Sequence, residues 1–254
     1  MVKVGIIGGS GLDNPEILAE PQDIEVTTPY GDPSAPLVCG TIGKVPVAVL
    51  ARHGRDHAIY PSGVNFRANI WALKSQGCTH ILAATAVGSL RREIAPGHLV
   101  FPGQFIDFTR RRETTFFDRG PVVHTPMAEP FCPHLRRLLA ETAAELGIPA
   151  HSDKTVITVE GPRFSTKAES HMFRAWSADV INMSTVPEVN LAREQKMHYA
   201  TAAMSTDYDC WHEEEAPVTW EMIVDTMRKN AHNVIRLFVA AIPKIAAYDD
   251  ICQR

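Results

Sequence analysis

The sequence predicts an α/β fold: a single domain with a central mixed, largely parallel β-sheet flanked by helices. Short aliphatic runs rich in Val and Ile recur along the 254 residues, and stretches with apolar residues at helical spacing alternate with them. No internal repeat, low-complexity tract or linker separates them, so 1–254 is expected to form one domain. Strands that alternate with helices pair largely in parallel and are covered on both faces. That arrangement gathers the loops at the strand ends around one site.

Lys3–Ile7 and Val45–Ala51 are the first two strands, each a short aliphatic run suited to burial. Asn65 to Gln76 follows as an amphipathic helix, with Phe66, Ile70 and Leu73 at i, i+4 and i+7 and Gly77 placed to cap its end. His80–Thr85 and Leu99–Phe101 are further strands. From Thr109 to Pro133 the chain is rich in Pro and polar residues without periodicity, a composition that fits a lid or a subunit contact. Leu135 to Leu146 repeats the helical pattern and ends at Gly147. Thr155–Val159 is a strand, and a helix around Lys167–Trp176 opens on the capping-box pattern Thr166-Lys167-Ala168-Glu169. The strand Asp179–Met183, the helix Glu188–Lys196 and the strand Tyr199–Met204 complete the alternation. A long closing helix runs from Trp220 to Ile242, where Pro243 is expected to interrupt or end it.

Composition excludes several classes of function. With 45% hydrophobic and 21% charged residues the chain is ordinary for a globular protein, and its net charge of −4 gives no electrostatic footprint for nucleic acid or an anionic membrane. The cluster Arg110-Arg111-Arg112 sits beside Glu113 and Asp118 and reads as a solvated loop. No apolar run is long enough to span a bilayer, and Met1 to Ile7 leads directly into a strand pattern, so the expected location is the cytoplasm. Five cysteines without a C-x-x-C pair fit neither a disulfide framework nor a structural zinc site, and eleven histidines without H-E-x-x-H point to no metal site.

Chemistry concentrates at strand ends. Thr206-Asp207-Tyr208-Asp209-Cys210-Trp211 follows the last strand, and in extended chain Asp207 and Asp209 would face one pocket, each raising the other's pKa, as a general acid requires. The competing reading is a surface turn, with Asp207 capping the next segment and Asp209 solvated. Gly8-Gly9-Ser10-Gly11 follows the first strand. Its glycines would let backbone N–H groups and the Ser10 hydroxyl meet an anion, although such turns also serve packing. It is neither a P-loop nor G-x-G-x-x-G. Ala51-Arg52-His53-Gly54-Arg55-Asp56-His57 sets a guanidinium fork and an imidazole at the end of the second strand, where Arg52 could grip phosphate and His53 add a second donor. Arg55 and Asp56 could instead pair on a solvated turn, and His57 could be a satisfied neighbour. Thr85-Ala86-Val87-Gly88-Ser89 and Asn182-Met183-Ser184 bring hydroxyls and small residues to two more strand ends. Together these give one anion-binding side and one acidic side.

Gly8-Gly9-Ser10-Gly11-Leu12, Ala51-Arg52-His53-Gly54-Arg55, Asn69-Ile70-Trp71-Ala72-Leu73, Met127-Ala128-Glu129-Pro130-Phe131-Cys132, Glu160-Gly161-Pro162-Arg163-Phe164-Ser165, Ile181-Asn182-Met183-Ser184-Thr185-Val186-Pro187-Glu188 and Thr206-Asp207-Tyr208-Asp209-Cys210-Trp211 stand in the order and spacing of one family. From about residue 3 to about residue 245 the chain closely resembles the S-methyl-5′-thioadenosine phosphorylases, within the trimeric purine nucleoside phosphorylases. The resemblance implies a purine nucleoside phosphorylase-like fold in which Ser10, Arg52, His53, Thr85, Ala86 and Ser184 hold phosphate. It sets Met183 under the ribose, Phe164 against the purine, and Asp207, Tyr208 and Asp209 at the base, with Asp207 as the catalytic acid at N7 and Asp209 at the 6-amino group. Ser165 and Trp220 would govern specificity. Trp220 stands where relatives of the eukaryotic type usually carry a small aliphatic residue near the 5′-methylthio group, and as a core anchor it would have no such role. The sequence also stops at Arg254, short of the longer tail that helps close that pocket in relatives. His124 is similar to a residue that reaches the 5′ end of a neighbouring subunit's substrate, so a homotrimer is implied, with pairing of trimers left open.

The reaction so implied is phosphorolysis of S-methyl-5′-thioadenosine to adenine and 5-methylthioribose 1-phosphate. It needs small-molecule nucleoside and inorganic phosphate as co-substrates, and no metal or organic cofactor. Phosphate is already an anionic nucleophile, so one acid aimed at the departing base suffices, where a glycosidase needs two carboxylates. The alternatives are a phosphorylase for methylthioinosine or other 6-oxopurine nucleosides, a dinucleotide-binding oxidoreductase built on Gly8–Gly11, and a non-catalytic nucleoside-binding protein.

Overall fold

The computed structural model describes residues 2–8, 17–212 and 220–247, with backbone only for 220–225 and 227–229. The strands are β1 (Val4–Gly8), β2 (Ala19–Ile24), β3 (Leu37–Ile42), β4 (Val45–Ala51), β5 (His80–Ser89), β6 (Leu99–Phe108), β7 (Ala150–Val159), β8 (Val180–Asn182) and β9 (His198–Asp207). The helices are α1 (Phe66–Ser75), α2 (Pro133–Glu145), α3 (Lys167–Ala175), α4 (Thr185–Glu194) and α5 (Trp220–Ala247). The nine strands form one mixed sheet in the order β2-β3-β4-β1-β5-β8-β7-β6-β9, and β9 also pairs with β5. That last pairing closes β5, β8, β7, β6 and β9 into a ring, from which β1, β4, β3 and β2 extend as a wing. Parallel pairing holds for β1 with β4 and β5, β5 with β9, and β7 with β6 and β8.

Alternation along the strands builds a core on each side. Val4 and Ile6 of β1 join Val47 and Val49 of β4 against Leu139 of α2 and Phe238 of α5. Ile7 and Leu50 face the other way, onto Ile70 of α1 and Val189 of α4. Phe173 of α3 covers Ile157 and Ile181 in a smaller cluster. The helix starts are locally encoded: the Asn65 side chain accepts from the Ala68 N–H, and Thr166 and Glu169 form the full capping box.

Several boundaries differ from the sequence expectation. β2, Ala-Glu-Pro-Gln-Asp-Ile, is exposed nearly throughout and joins β3 by backbone pairing that shifts register between Ala19 and Gln22, so it carries no apolar alternation to announce it. β6 continues past Phe101 through Pro102 and Gly103, the point at which its register against β7 shifts and absorbs the proline. α4 starts at Thr185, ahead of the expected Glu188, with Val186 held extended (φ −102°, ψ 130°) because the next residue is Pro187. α5 does not stop at Pro243 but runs on to Ala247. Buried Ile242 and Ile245 anchor the helix on both sides of the proline, and the carbonyl it deprives of a donor belongs to exposed Val239.

Candidate active site

β1 and β4 end side by side, Gly8 opposite Ala51, and the Arg52 N–H donates to the Gly8 carbonyl at 2.9 Å. Of the glycine-rich motif only Gly8 is among the described residues; Gly9, Ser10 and Gly11 lie outside them. Arg52 is buried, 2% exposed, and its fork is engaged: Nε donates to Glu188 Oε2 at 2.9 Å, Nη2 to Oε1 at 2.8 Å, and Nη1 to the Ala84 carbonyl at 2.8 Å. The Tyr199 hydroxyl adds a bond to the same carboxylate at 3.2 Å. Most of the fork is taken by Glu188, since a guanidinium this deeply buried needs a counter-charge from the chain. Burial alone would push Arg52 down; the Glu188 carboxylate outweighs it and holds the guanidinium charged. Of the five N–H groups one on each terminal nitrogen is left for an anion. Arg55 pairs with Asp23 at 2.6 Å rather than with Asp56.

The hydroxyls of Thr85 and Ser184 meet at 2.7 Å beside the carbonyl of Ala86; Thr85 gives its proton to that carbonyl at 3.2 Å and so accepts from Ser184. β8 runs antiparallel to the end of β5, which brings Ser184 back to Thr85. Asn182 braces them, its Nδ2 donating to Thr185 Oγ1 at 2.7 Å while its Oδ1 accepts from Thr158 at 2.9 Å. Arg52 reaches the same stretch of β5 through Ala84. The fold therefore joins Arg52, Thr85, Ala86 and Ser184, which are distant in sequence, into one polar nest.

The acidic pair is adjacent, though by a different route from the one expected. Pairing of β9 with β5 shifts register between Val87 and Gly88, which sets Asp207 opposite Gly88. The chain then turns, with Asp209 at φ 50° and its N–H donating to Asp207 Oδ1 at 2.8 Å, while Thr206 Oγ1 donates to Oδ2 at 2.7 Å. A turn replaces the extended geometry because the Asp207 carboxylate captures a backbone N–H two residues on. Both side chains nonetheless flank Gly88, where an added Cβ would lie 3.1 Å from Asp207 Oδ1 and 3.4 Å from the Asp209 Cβ. The missing side chain at Gly88 thus makes room for the carboxylates. Burial pushes the Asp209 carboxyl up, and the neighbouring Asp207 charge adds to the effect.

Around the pair, a side chain at Gly161 (φ 67°) would collide with the Met183 sulfur, so Met183 lies directly over the 160–165 loop. Cys210 Sγ meets the Ser165 carbonyl at 3.3 Å, tying that loop to the acidic turn. Phe164 is 46% exposed. Tyr208 turns its hydroxyl to the Arg92 carbonyl at 3.1 Å and stacks on His212, so its phenol braces the turn. His124 is exposed on the irregular segment. Trp220 opens α5, and its side chain lies outside the described part.

The profile of the phosphorylase superfamily matches residues 3–243. Over 254 residues the chain is 57% identical to the S-methyl-5′-thioadenosine phosphorylase of Xenopus tropicalis, covering 98% of this chain and 90% of that protein. The chain belongs to the S-methyl-5′-thioadenosine phosphorylase family. The Danio rerio member is 53% identical over the same shares of both chains. The solved structure of methylthioadenosine phosphorylase from Schistosoma mansoni in complex with adenine matches at a TM-score of 0.95 and 42% identity, covering 100% of this chain and 96% of that one.

Within this phosphorylase fold the arginine cluster also needs correction. Arg110 and Arg111 are exposed, but the Arg112 side chain is only 1% exposed and donates to the Val186 carbonyl at 2.6 Å and the Glu160 carbonyl at 3.0 Å, over the Phe66 ring. Glu160 gathers three loops: its carboxylate accepts from the Ser62 hydroxyl, from the backbone N–H groups of Arg110 (2.7 Å) and Arg111 (3.1 Å), and from Arg112. These loops follow β4, β6 and β7, and the third carries Phe164 and Ser165. Sequence reasoning missed Glu160, Arg112 and Glu188; Arg112 pairs with Glu160 across 48 positions and Arg52 with Glu188 across 136. The burial of a charged residue between loops leaves no periodic trace.

Proposed function

We propose that this chain catalyses phosphorolysis of S-methyl-5′-thioadenosine to adenine and 5-methylthioribose 1-phosphate, in purine and methionine salvage. It is a pentosyltransferase: the bond from the ribosyl carbon to N9 breaks, a phosphate oxygen bonds to that carbon, and the proton ends on adenine. The observation that carries this reading is the pairing of Asp207 with Asp209 across Gly88, on the same strand whose Thr85 hydroxyl meets Ser184. Phosphate lies at Arg52, His53, Thr85, Ala86 and Ser184, and Ser10 joins them. Met183 supports the ribose, and Phe164 and Ser165 border the purine. In this reading Asp207 delivers a proton to N7 while Asp209 accepts from the 6-amino group. Such a general acid contributes about 10²–10⁴-fold, and positioning of phosphate supplies more.

The chain works as one phosphorylase domain over 1–254, in a cytoplasmic homotrimer to which His124 contributes across the interface. Inorganic phosphate is the co-substrate, and no metal or organic cofactor takes part. Exposed Val122 and Val123 beside His124 support a subunit contact there, and among the described residues no helix is long and apolar enough to cross a membrane. The test is phosphate-dependent base release from methylthioadenosine and methylthioinosine by wild type, Asp209→Asn and Asp207→Asn. Wild type should prefer the 6-amino substrate strongly, by up to about 10⁴-fold, because against a 6-oxo purine two buried acceptors would face each other. Asp209→Asn should narrow that ratio, and Asp207→Asn should depress kcat. An unchanged ratio in Asp209→Asn would remove Asp209 from the 6-position.

A further inference from the structure

Arg112 follows the end of β6, and unlike its exposed neighbours Arg110 and Arg111 it turns its guanidinium inward. All its nitrogens donate to the chain: Nη1 to the Val186 carbonyl at 2.6 Å, Nη2 to the Glu160 carbonyl at 3.0 Å and more distantly to Val159 at 3.4 Å, and Nε to Glu160 Oε1 at 3.4 Å. The Phe66 ring of α1, 5.3 Å from Cζ, sets the plane of the fork. Any part Arg112 plays in the reaction must therefore run through what it holds. Val186 stands two residues after Ser184, whose hydroxyl meets Thr85, and two before Glu188, which grips Arg52. Glu160 opens the loop that bears Phe164 and Ser165, and its carboxylate also takes the hydroxyl of Ser62, at the far end of the loop in which the His53 ring is held with Nδ1 2.9 Å from the Ile59 carbonyl. Each side has braces of its own. Ser184 has Thr85, and the 160–165 loop runs into the capping box of Thr166 and Glu169. What Arg112 adds is the spacing between the two sides.

We propose that Arg112 is a positioning residue for the phosphorolysis: with Glu160 it fixes the spacing between the 160–165 loop, which borders the purine, and the 183–188 segment, which carries the ribose and phosphate contacts. The inference rests on the proposed function, because only a reaction between groups held on both segments depends on that spacing. Phosphate must meet the ribosyl carbon opposite the departing base, and a displacement of about 1 Å between reacting partners can cost about 10²-fold in rate. An arginine suits this task. Its rigid planar fork fixes acceptors on two sides at once, whereas a lysine ammonium on its flexible stem would follow either side alone. Since each side keeps its local braces, loss of the fork should fall on the chemical step and leave the binding of either substrate largely intact.

Single-turnover formation of adenine from methylthioadenosine, with nucleoside and phosphate both saturating, reads this alignment directly. Arg112→Lys should slow it by about 10²-fold while the KM of each substrate stays within about threefold of wild type. Glu160→Gln, which removes the charge facing Arg112 but keeps one acceptor, should slow it about tenfold. The double variant should be no slower than Arg112→Lys alone, because the two residues act as one bracket. Leu139→Ala, in the core against α2, controls for lost stability: it should lower the melting temperature and leave the single-turnover rate of the folded enzyme unchanged. If Arg112→Lys behaves like Leu139→Ala, the guanidinium only stabilises the fold, and the inference is overturned with the proposed function intact. A rise in one KM at an unchanged rate would overturn it equally, since Arg112 would then serve one side of the site. Should Arg112→Lys fail to fold, Glu160→Gln decides by itself, and an unchanged rate in that variant sinks the bracket. If wild type forms no adenine in the presence of phosphate, the proposed function fails and the inference falls with it.

Discussion

Glu188 alters what a substitution at Arg52 measures. Removing the guanidinium takes a partner from phosphate in the proposed site, and it also leaves a carboxylate 1% exposed that keeps its bond from the Tyr199 hydroxyl but loses its paired charge. Breaking a buried pair from one side costs about 3–5 kcal/mol, far more than a surface pair contributes. Arg52→Ala is therefore expected to lower the melting temperature sharply as well as raise the phosphate KM. The double substitution Arg52→Met with Glu188→Gln removes both charges, and should recover most of the stability while the phosphate KM stays high. Thermal unfolding and phosphate KM, compared across the single and double variants, separate the two effects. A double variant as unstable as the single one would mean that the stranded carboxylate is not the source of the loss.

At the scale of one element, α3 shows what a short sequence can specify. Thr166 Oγ1 accepts from the Glu169 N–H at 3.1 Å, Glu169 accepts from the Thr166 N–H at 2.8 Å, and Arg163 grips the same carboxylate at 2.6 and 2.7 Å. With Glu160 fixing its other end, the loop bearing Phe164 and Ser165 is tied down on both sides. The Arg163 guanidinium first, and the Thr166 N–H next, hold the Glu169 carboxyl down to about 2. That folded value lies below the unfolded one of about 4.3, so the contribution is complete above about pH 5 and is lost as pH falls towards 2. Glu169→Gln should therefore be less stable than wild type at pH 7, and the difference should shrink through that window; denaturation midpoints measured across it would count against the assignment if the gap stayed constant. Thr166→Ala should cost about 1 kcal/mol at neutral pH. This cap was legible because both partners lie within four residues, and the aliphatic runs of β1, β4 and β9 were legible because burial imposes a pattern on neighbours. β2 was not, because an exposed strand held by backbone bonds needs no particular side chains. The same contrast runs through the site. Ser184 and the aspartates could be read at strand ends, and Thr85 could be read by its hydroxyl although β5 runs on past it to Ser89, whereas Glu160, Arg112 and Glu188 act through partners that only the closed sheet brings near.

The whole molecule closes five strands into a ring and gathers the acidic turn, the polar nest and the 160–165 loop at their ends. The segment between β6 and α2 is different. It carries Val122 at 75% and Val123 at 46% exposure, with exposed His124 next to them, and an apolar surface of this kind calls for a cover. In the proposed homotrimer each subunit covers its neighbour head to tail, so every site takes its His124 from one other chain. Two defective variants should then complement each other. His124→Ala subunits keep Asp207 but should raise the nucleoside KM of the site next door, and Asp207→Asn subunits keep His124 but should lose kcat in their own. Co-expressed in equal amounts, they assemble so that about a quarter of all sites combine an intact Asp207 with an intact neighbouring His124. At nucleoside concentrations below the His124→Ala KM, the mixture should therefore turn over methylthioadenosine faster than the mean of the two pure variants. The excess should be absent when the same proteins are purified separately and mixed without reassembly. If co-expressed trimers show only the mean, His124 serves its own subunit or none, and the shared site fails while the assignment of Asp207 stands.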